Sequence, residues 1–484
     1  MNILYLSSEA VPFAKTGGLG DVAGVLPRVM AQGAKVSLMM PDYMTESIKK
    51  SRAVTMDRFS LVVGTRTYGA AIKKTIVSPY FSVYFVENDQ FFGREGLYGD
   101  DSGDYADNFI RFLFFQKAVL EYIRRNGLSF DVIHCNDWQT AMVPLYVKME
   151  PLPEPFQKAK TVFSIHNLGY QGIFPPASFA EAGLPAYLFS PEYLEFYGNL
   201  NCMKAGIIFS DRLVTVSPTY AREIISAEKG FGLEGLLAKH SSKLSGIMNG
   251  VDYSLWDPRN DPFIETRYSA QSLPGKNKNK LALFSELGIT GDSAVPLLAM
   301  ISRISEQKGV ALLPELLPIL LQEDVRFVFL GKGDGSWTDK LLGLAKRFPQ
   351  RFKFLNRFDE QAAHRLEAAA DMLFMPSVYE PCGLNQIYSL RYGTIPIVRA
   401  TGGLEDSVQE FDPMTLQGNG FKFNGDDVAG IMAVIRRALR LFTDRDLWRQ
   451  IQENGMEMDF SWERVAPEYL GLYKNMLLED IQHG

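Results

Sequence analysis

The 484-residue chain is poor in cysteine, holding only Cys135, Cys202 and Cys382. The count is odd and no CxxC pair occurs, which argues against a disulfide framework and against a cysteine-ligated zinc site. Reduced thiols fit a cytoplasmic protein. Long apolar runs are also missing. None reaches the roughly 18–20 residues of a membrane span, and the longest candidate, Val310 to Leu321, is interrupted by Pro314 and Glu315. The opening MNILYLSSEAVPF has a short apolar run and no basic start, so it is not expected to be a signal peptide. Neither sign of charge dominates. The net charge of −6 speaks against non-specific binding to nucleic acid or an anionic membrane, and leaves room for a local basic pocket. It says nothing about oligomeric state. There is no fixed-period repeat and no low-complexity tract.

What is present is ordinary globular composition, 46% apolar and 22% charged, in a chain long enough for two to four domains without staples. Short apolar runs recur, each followed by a loop and a helix-like stretch. Ile3 to Leu6 leads to a helix over about Gly20 to Gln32. Lys35 to Met40, Asp131 to His134, Thr161 to Ile165 and Arg212 to Val216 follow. A stretch from Asp257 to Lys280, with three prolines and a lysine/asparagine cluster, reads as loop or linker. The alternation then restarts at Leu297 to Ile301, Arg326 to Leu330, Lys353 to Leu355, Met372 to Met375 and Ile395 to Val398. Alternating strand and helix signals imply mostly parallel sheets covered on both faces. Two series imply two doubly wound domains joined near Asn249–Ser254. Residues Trp462 to Leu478 carry helical apolar spacing, and the plainest reading packs that helix on the second domain.

Open α/β sheets bind ligands at the carboxyl ends of their strands, and the chemistry-bearing segments fall there. Lys15-Thr16-Gly17-Gly18-Leu19-Gly20-Asp21 follows the first strand and opens a helix. Its glycines and helix start suit a phosphate, and Lys15 adds a cation, though a tight turn alone would look the same. It fits neither a Walker loop nor GxGxxG. Ser302 to Gly309 follows the first strand of the second series, where Arg303 and Lys308 can clamp a diphosphate or stand as solvated surface cations. In Glu380-Pro381-Cys382-Gly383-Leu384-Asn385-Gln386, Gly383 marks a second helix start. A glutamate beside it is awkward for an anion unless sugar hydroxyls engage the carboxylate; otherwise it is an exposed residue beside a cap. Asp137 and His166 stand at predicted strand ends, as ligand groups or structural hydrogen-bonding residues, and His134 reads as a core histidine. No HxH or HExxH spacing supports a metal site. No base is evident beside Cys135 or Cys382, so steric fit is the reading for both.

Taken in order, these segments resemble the bacterial glycogen synthase and plant soluble starch synthase family. Those that carry the likeness are Lys15 to Asp21, His134 to Gln139, His166-Asn167-Leu168-Gly169-Tyr170-Gln171-Gly172, Asn249-Gly250-Val251-Asp252, Ser302-Arg303 with Gln307-Lys308-Gly309, Glu380 to Leu384 and Thr401-Gly402-Gly403-Leu404. With the terminal Phe460-Ser461-Trp462 they cover essentially the whole chain.

The resemblance implies an α/β GT-B fold, two Rossmann-like doubly wound domains facing across a deep cleft. The first would be an acceptor-side domain over 1–248, to which a helix over 460–484 crosses back, and the second a nucleotide-sugar domain over 249–459. The implied reaction is retaining transfer of glucose from ADP-glucose to the non-reducing end of an α-1,4-glucan such as glycogen, in the cytoplasm, with no metal or other cofactor. By match, Lys15, Arg303 and Lys308 look like the donor diphosphate clamp, assisted by the N–H groups of Gly18, Gly383 and Leu384. Glu380, Asp137, His166 and Asn249 would hold the glucose. Asp21 would lie near the donor and Tyr98 on the acceptor side. The likeness also implies domain closure, hinged near Asn249–Ser254 and before the last helix. Three rivals stand beside this reading: a retaining GT-B glucosyltransferase with a small acceptor, such as a sucrose- or trehalose-phosphate-forming enzyme; a phosphorylase-like enzyme, which would need a Schiff-base lysine for pyridoxal phosphate; and a non-catalytic glucan-binding protein. UDP-glucose in place of ADP-glucose stays open, as do acceptor chain length and regulation.

Overall fold

A computed structural model describes residues 1–149, 158–333, 335–357 and 359–483. The chain divides into two compact units, one made of Met1–Val216, Ala221–Gly250 and Trp462–Gly484, the other of Ser217–Tyr220 and Val251–Ser461. The join thus falls after Gly250, so Asn249 sits in the first unit and not in the second, where the sequence reading put it. The short Ser217–Tyr220 segment groups with the second unit because its partners are there. Ser217 Oγ donates to the Pro381 carbonyl (2.7 Å), and the Thr219 hydroxyl and N–H both donate to Asp406 (2.7 Å each).

In the first unit, β1 (Asn2–Leu6), β2 (Lys35–Pro41), β3 (Val54–Val63), β4 (Arg66–Ser78), β5 (Phe81–Glu87), β6 (Val132–Asn136), β7 (Lys160–Ile165), β8 (Arg212–Thr215) and β9 (Leu244–Gly246) form one sheet. Its order is β9-β8-β7-β6-β1-β2-β5-β4-β3. The central strands are buried apolar runs, as parallel strands covered on both faces must be. At one edge β3, β4 and β5 pair antiparallel, an addition that the sequence reading did not contain.

The second unit holds β10 (Leu297–Ile301), β11 (Arg326–Leu330), β12 (Phe352–Leu355), β13 (Met372–Met375), β14 (Ile395–Arg399) and β15 (Phe421–Phe423). They are all parallel, in the order β12-β11-β10-β13-β14-β15. That is the 3-2-1-4-5-6 order of a dinucleotide-binding sheet. Apolar clusters cover its two faces, one around Phe327, Phe374 and Ile397, the other around Val328, Leu373 and Val398. Those positions alternate along the strands with the two-residue period of a pleated sheet.

The Pro274–Leu287 segment corrects the linker reading, because it is a 14-residue helix with proline in its first turn. Two of its three lysines, Lys276 and Lys280, are buried, while Lys278 is exposed. Lys276 Nζ donates to the Glu367 and Ala368 carbonyls and to Thr394 Oγ1, and Lys280 pairs with Asp371 at 2.6 Å.

The terminal helix runs over Trp462–His483 and belongs to the first unit. Tyr469 and Tyr473, one turn apart, are buried on it. The Tyr473 hydroxyl meets His134 Nδ1, and Ser164 Oγ meets His134 Nε2 at 2.6 Å. Burial pulls the His134 pKa down to about 3, so the ring is a neutral core group bolting β6 to this helix. Among the described residues, no helix is long and apolar enough to cross a membrane.

Candidate active site

In both sheets the strand order reverses beside the first strand, between β1 and β6 and between β10 and β13. Connections leave in opposite directions there, and a crevice opens at the carboxyl ends. Most of the sequence-predicted residues lie in the loops after β1, β6, β10 and β13 that flank these two places, while His166 follows β7, Asn249 follows β9, and Tyr98 lies between β5 and the helix Asn108–Arg125.

In the second unit, the loop after β10 is pinned on several sides. Ser302 N–H donates to the Leu330 carbonyl, Ile304 N–H to the Lys332 carbonyl, and Asn385 Nδ2 to the Ile301 carbonyl at 2.6 Å. Val378 N–H donates to the Gln307 carbonyl, which ties this loop to the one after β13. At Gly309 φ is +70°, and a Cβ would overlap the Pro376 carbonyl oxygen, so glycine is required there. The result places Lys308 Nζ 2.6 Å from Glu380 Oε2, across the switch point. Ser377 Oγ donates to the same oxygen at 2.8 Å. Glu380 is 5% exposed, so this is a partly desolvated ion pair, and removing either partner would leave the other charge poorly solvated. Arg303 is exposed, and among the described residues no hydrogen bond or ion pair holds its guanidinium. The hydroxyls of Ser302 and Ser305 in the same loop are buried and, among the described residues, without partners. Gly383 and Leu384 immediately precede the short helix Asn385–Arg391, so their N–H groups belong to its start.

The Thr401-Gly402-Gly403-Leu404 segment proves to be a backbone support. Gly403 N–H donates to the Glu380 carbonyl (3.1 Å) and to that of Pro381 (3.2 Å). At Gly402 φ is +46°, and a Cβ would overlap the Glu380 carbonyl oxygen. The glycines let this segment pass directly against the backbone of the glutamate.

In the first unit, Lys15 Nζ pairs with Asp21 at 2.7 Å. The helix Gly18–Met30 starts two residues earlier than the sequence pattern suggested, so Gly18 is its first residue. Asp137 stands just past β6 with φ +55°, a strained backbone for a non-glycine residue of the kind that clusters at functional sites. Its Oδ1 accepts the His166 N–H at 2.8 Å. Burial nevertheless pushes its pKa up to about 7, against the lowering effect of the His166 and Asn167 N–H groups.

His166 is oriented by a residue that the sequence reading passed over. Asn136 Nδ2 donates to the Leu6 carbonyl (2.8 Å), which fixes its Oδ1 as the acceptor for the Tyr5 hydroxyl (3.1 Å) and His166 Nε2 (2.8 Å). An amide oxygen cannot donate, so this network assigns the proton to Nε2 and leaves Nδ1 its lone pair. Burial holds the His166 pKa down at about 4, so the ring is neutral near pH 7 and can accept a hydrogen bond from a hydroxyl. Asn249 is 5% exposed and, among the described residues, its Oδ1 has no partner, an unmet acceptor that costs free energy unless something donates to it.

Tyr98 is held by the start of the helix Asn108–Arg125. Asn108 Nδ2 donates to the Tyr98 carbonyl, and the buried Arg111 donates to the carbonyls of Leu97 and Phe91. The Tyr98 hydroxyl meets Ser8 Oγ and Glu9 Oε1, each at 2.7 Å. The structure thus joins Lys15 to Asp21, Asp137 to His166, and Lys308 to Glu380. It places Lys15, Gly18, Asp21, Tyr98, Asp137, His166 and Asn249 in the first unit, and Arg303, Lys308, Glu380, Gly383 and Leu384 in the second. Among the described residues, no group of three or more His, Cys, Asp or Glu side chains is arranged to hold a metal ion.

Residues 2–239 match the family described as starch synthase catalytic domain, and residues 290–458 match glycosyl transferases group 1. Glycogen synthase of Koribacter versatilis is 43% identical over 489 residues, covering 98% of each chain. Glycogen synthase of an Anaeromyxobacter species is 45% identical, covering 98% of this chain and 99% of that one. This chain belongs to the glycogen synthase family. It is a glycosyltransferase of GT-B fold that extends a glucan. A solved relative is the catalytic domain of starch synthase IV from Arabidopsis thaliana, bound to ADP and acarbose, with a TM-score of 0.88 and 34% identity over 98% of this chain and 99% of that one. Sucrose-phosphate synthase from Thermosynechococcus elongatus, at TM-score 0.61 and 17% identity over 99% of each chain, shares the fold alone. The glycogen synthase relatives, similar along their whole length, therefore displace the small-acceptor, phosphorylase-like and non-catalytic alternatives.

Proposed function

We propose that this glycogen synthase family member takes ADP-glucose as donor and adds glucose, with retention of the α configuration, to the non-reducing end of an α-1,4-glucan. It does so in the cytoplasm and without a metal ion. The observation that carries the reading is the Lys308–Glu380 pair across the β10/β13 switch point, with the exposed Arg303 in the same loop as Lys308. Departure of a nucleoside diphosphate leaves negative charge on the phosphate and positive character on the sugar. Lys15, Arg303 and Lys308, with the N–H groups of Gly18, Gly383 and Leu384, serve the phosphate. Preorganised cations and N–H donors do there what a bound metal does elsewhere. That ADP is bound by the Arabidopsis relative supports the adenine nucleotide.

When a diphosphate draws Lys308 away, the Glu380 carboxylate is released to accept from sugar hydroxyls. His166 Nδ1, the Asn249 Oδ1 and the Asp137 carboxyl are acceptors suited to the same glucose. The bond from C1 to the phosphate oxygen breaks, the bond from C1 to the acceptor oxygen forms on the same face, and the acceptor's proton passes to the departing phosphate oxygen. Glu380 positions the sugar and is not the nucleophile. A double displacement would instead need a carboxylate against the anomeric carbon.

The test is nucleoside diphosphate release from ADP-glucose and from UDP-glucose, each with and without glycogen, in EDTA. Release from ADP-glucose that requires glycogen and ignores EDTA is expected. Preference for UDP-glucose would overturn the donor assignment, and loss of activity in EDTA would overturn metal independence.

A further inference from the structure

A buried carboxylate next to a diphosphate site needs a reason to be there, and Glu9 is such a group. It lies in the loop after β1 and is 3% exposed. Oε2 accepts the N–H groups of Thr16 (2.5 Å) and Gly17 (3.2 Å), and Oε1 accepts the hydroxyls of Thr16 (2.6 Å) and Tyr98 (2.7 Å). Among the described residues no lysine or arginine pairs with it. All four partners donate, so the site is built for an ionised, acceptor-only carboxylate. The Gly17 N-cap of the helix Gly18–Met30 has no side-chain cap of its own. Glu9 therefore serves as that cap from outside the helix, with its charge at the positive end of the helix dipole.

The consequence for the Lys15 turn is specific. Two N–H groups that precede the helix point inward at Glu9 and are not offered to a ligand, so the outward donors begin at Gly18. The Gly20 Cα also lies tightly over this group, since a Cβ there would be 3.0 Å from the Lys15 Cγ and 3.2 Å from Glu9 Oε2. The same carboxylate grips Tyr98 from a loop 89 residues away. One side chain thus sets the backbone of the Lys15 turn and the place of the Tyr98 hydroxyl together.

We infer that Glu9 is a positioning residue for the transfer reaction, holding the Lys15–Gly18 turn in the geometry that receives the donor diphosphate and coupling it to Tyr98. This rests on the donor reading above. A glutamine is nearly the same size, but its NH₂ would face either the two N–H groups or the two hydroxyl donors, and displacing a reactive group by about 1 Å can cost about 10²-fold in rate.

The experiment is a double-mutant cycle on folded protein, reading kcat with ADP-glucose and glycogen and melting temperature in parallel. Glu9→Gln is expected to lower kcat by about 10²-fold. In a Lys15→Ala background the same change is expected to cost under about 3-fold, because the turn no longer has a cation to position. Wild-type-like turnover in folded Glu9→Gln would overturn the inference, as would an undiminished loss in the Lys15→Ala background. Thr16→Ala, which removes one hydroxyl donor and keeps both N–H bonds, supplies the same cycle where Glu9→Gln does not fold; a smaller loss that vanishes with Lys15→Ala is expected, and an additive one would contradict it. An inactive wild-type enzyme would instead count against the donor reading itself, which keeps the two failures apart.

Discussion

Replacing Arg303 with alanine is expected to lower turnover by about 10²–10³-fold, equivalent to about 2.7–4 kcal/mol of transition-state stabilisation, while leaving the melting temperature unchanged. The separation follows from its surroundings. The guanidinium is exposed and, among the described residues, holds no partner, so the fold loses nothing when it is removed. Lys308→Ala is expected to lower turnover by a similar factor and to cost stability as well. Glu380, 5% exposed, would keep, among the described residues, only the Ser377 hydroxyl against a buried charge. Breaking one side of a buried pair commonly costs about 3–5 kcal/mol. Steady-state kcat at saturating ADP-glucose, with thermal melts of the same preparations, tests both. An Arg303→Ala enzyme within a few-fold of wild type would remove Arg303 from the leaving-group assignment. A Lys308→Ala protein as stable as wild type would contradict the description of its pair with Glu380.

Gly402→Ala is expected to destabilise the second unit by about 2–5 kcal/mol, from a left-handed backbone and an overpacked contact together. At φ +46° the new Cβ would overlap the Glu380 carbonyl oxygen, and that atom is fixed in turn by the Gly403 N–H. The backbone of Glu380 must shift to make room, so the folded fraction is also expected to lose activity. Urea denaturation followed by a probe in the second unit, paired with kcat, measures both effects. A neutral substitution would mean that the Thr401–Leu404 segment can move away from Glu380, and the close approach would then be no constraint on the site.

The parallel strands were legible in the sequence because each is a short buried apolar run, as in Lys35–Pro41 and Met372–Met375. The strand Val54–Val63 was not, since it is partly exposed and its buried positions, Phe59, Leu61 and Val63, alternate with polar or exposed ones over a short stretch. The helix Pro274–Leu287 was hidden for a different reason. Its prolines and its lysine/asparagine cluster read as loop, and only tertiary partners such as Asp371 and the Glu367 carbonyl make the burial of Lys280 and Lys276 possible. At the site, motif residues stood out through glycine and charge at strand ends, and the structure sets Lys308 against Glu380 and Asp137 against His166. The residues that orient them did not stand out. Glu9 and Asn136 matter through partners far along the chain, Tyr98 for the one and Leu6 and His166 for the other, and no local spacing announces such a contact. A glutamate three residues after an apolar strand, just ahead of a glycine-rich turn, was the one available signal. The sequence reading gave a donor role to the Gly18 N–H, and the structure shows that the Gly17 N–H just before it is spent on Glu9.

The most direct test of the account is to incubate the wild-type enzyme with ADP-glucose labelled in the sugar and with glycogen, then digest the washed polymer with β-amylase, which cuts α-1,4 links from non-reducing ends. The account predicts label in the polymer that β-amylase releases as maltose. Label left in a small soluble product, or in polymer that β-amylase does not release, would contradict it.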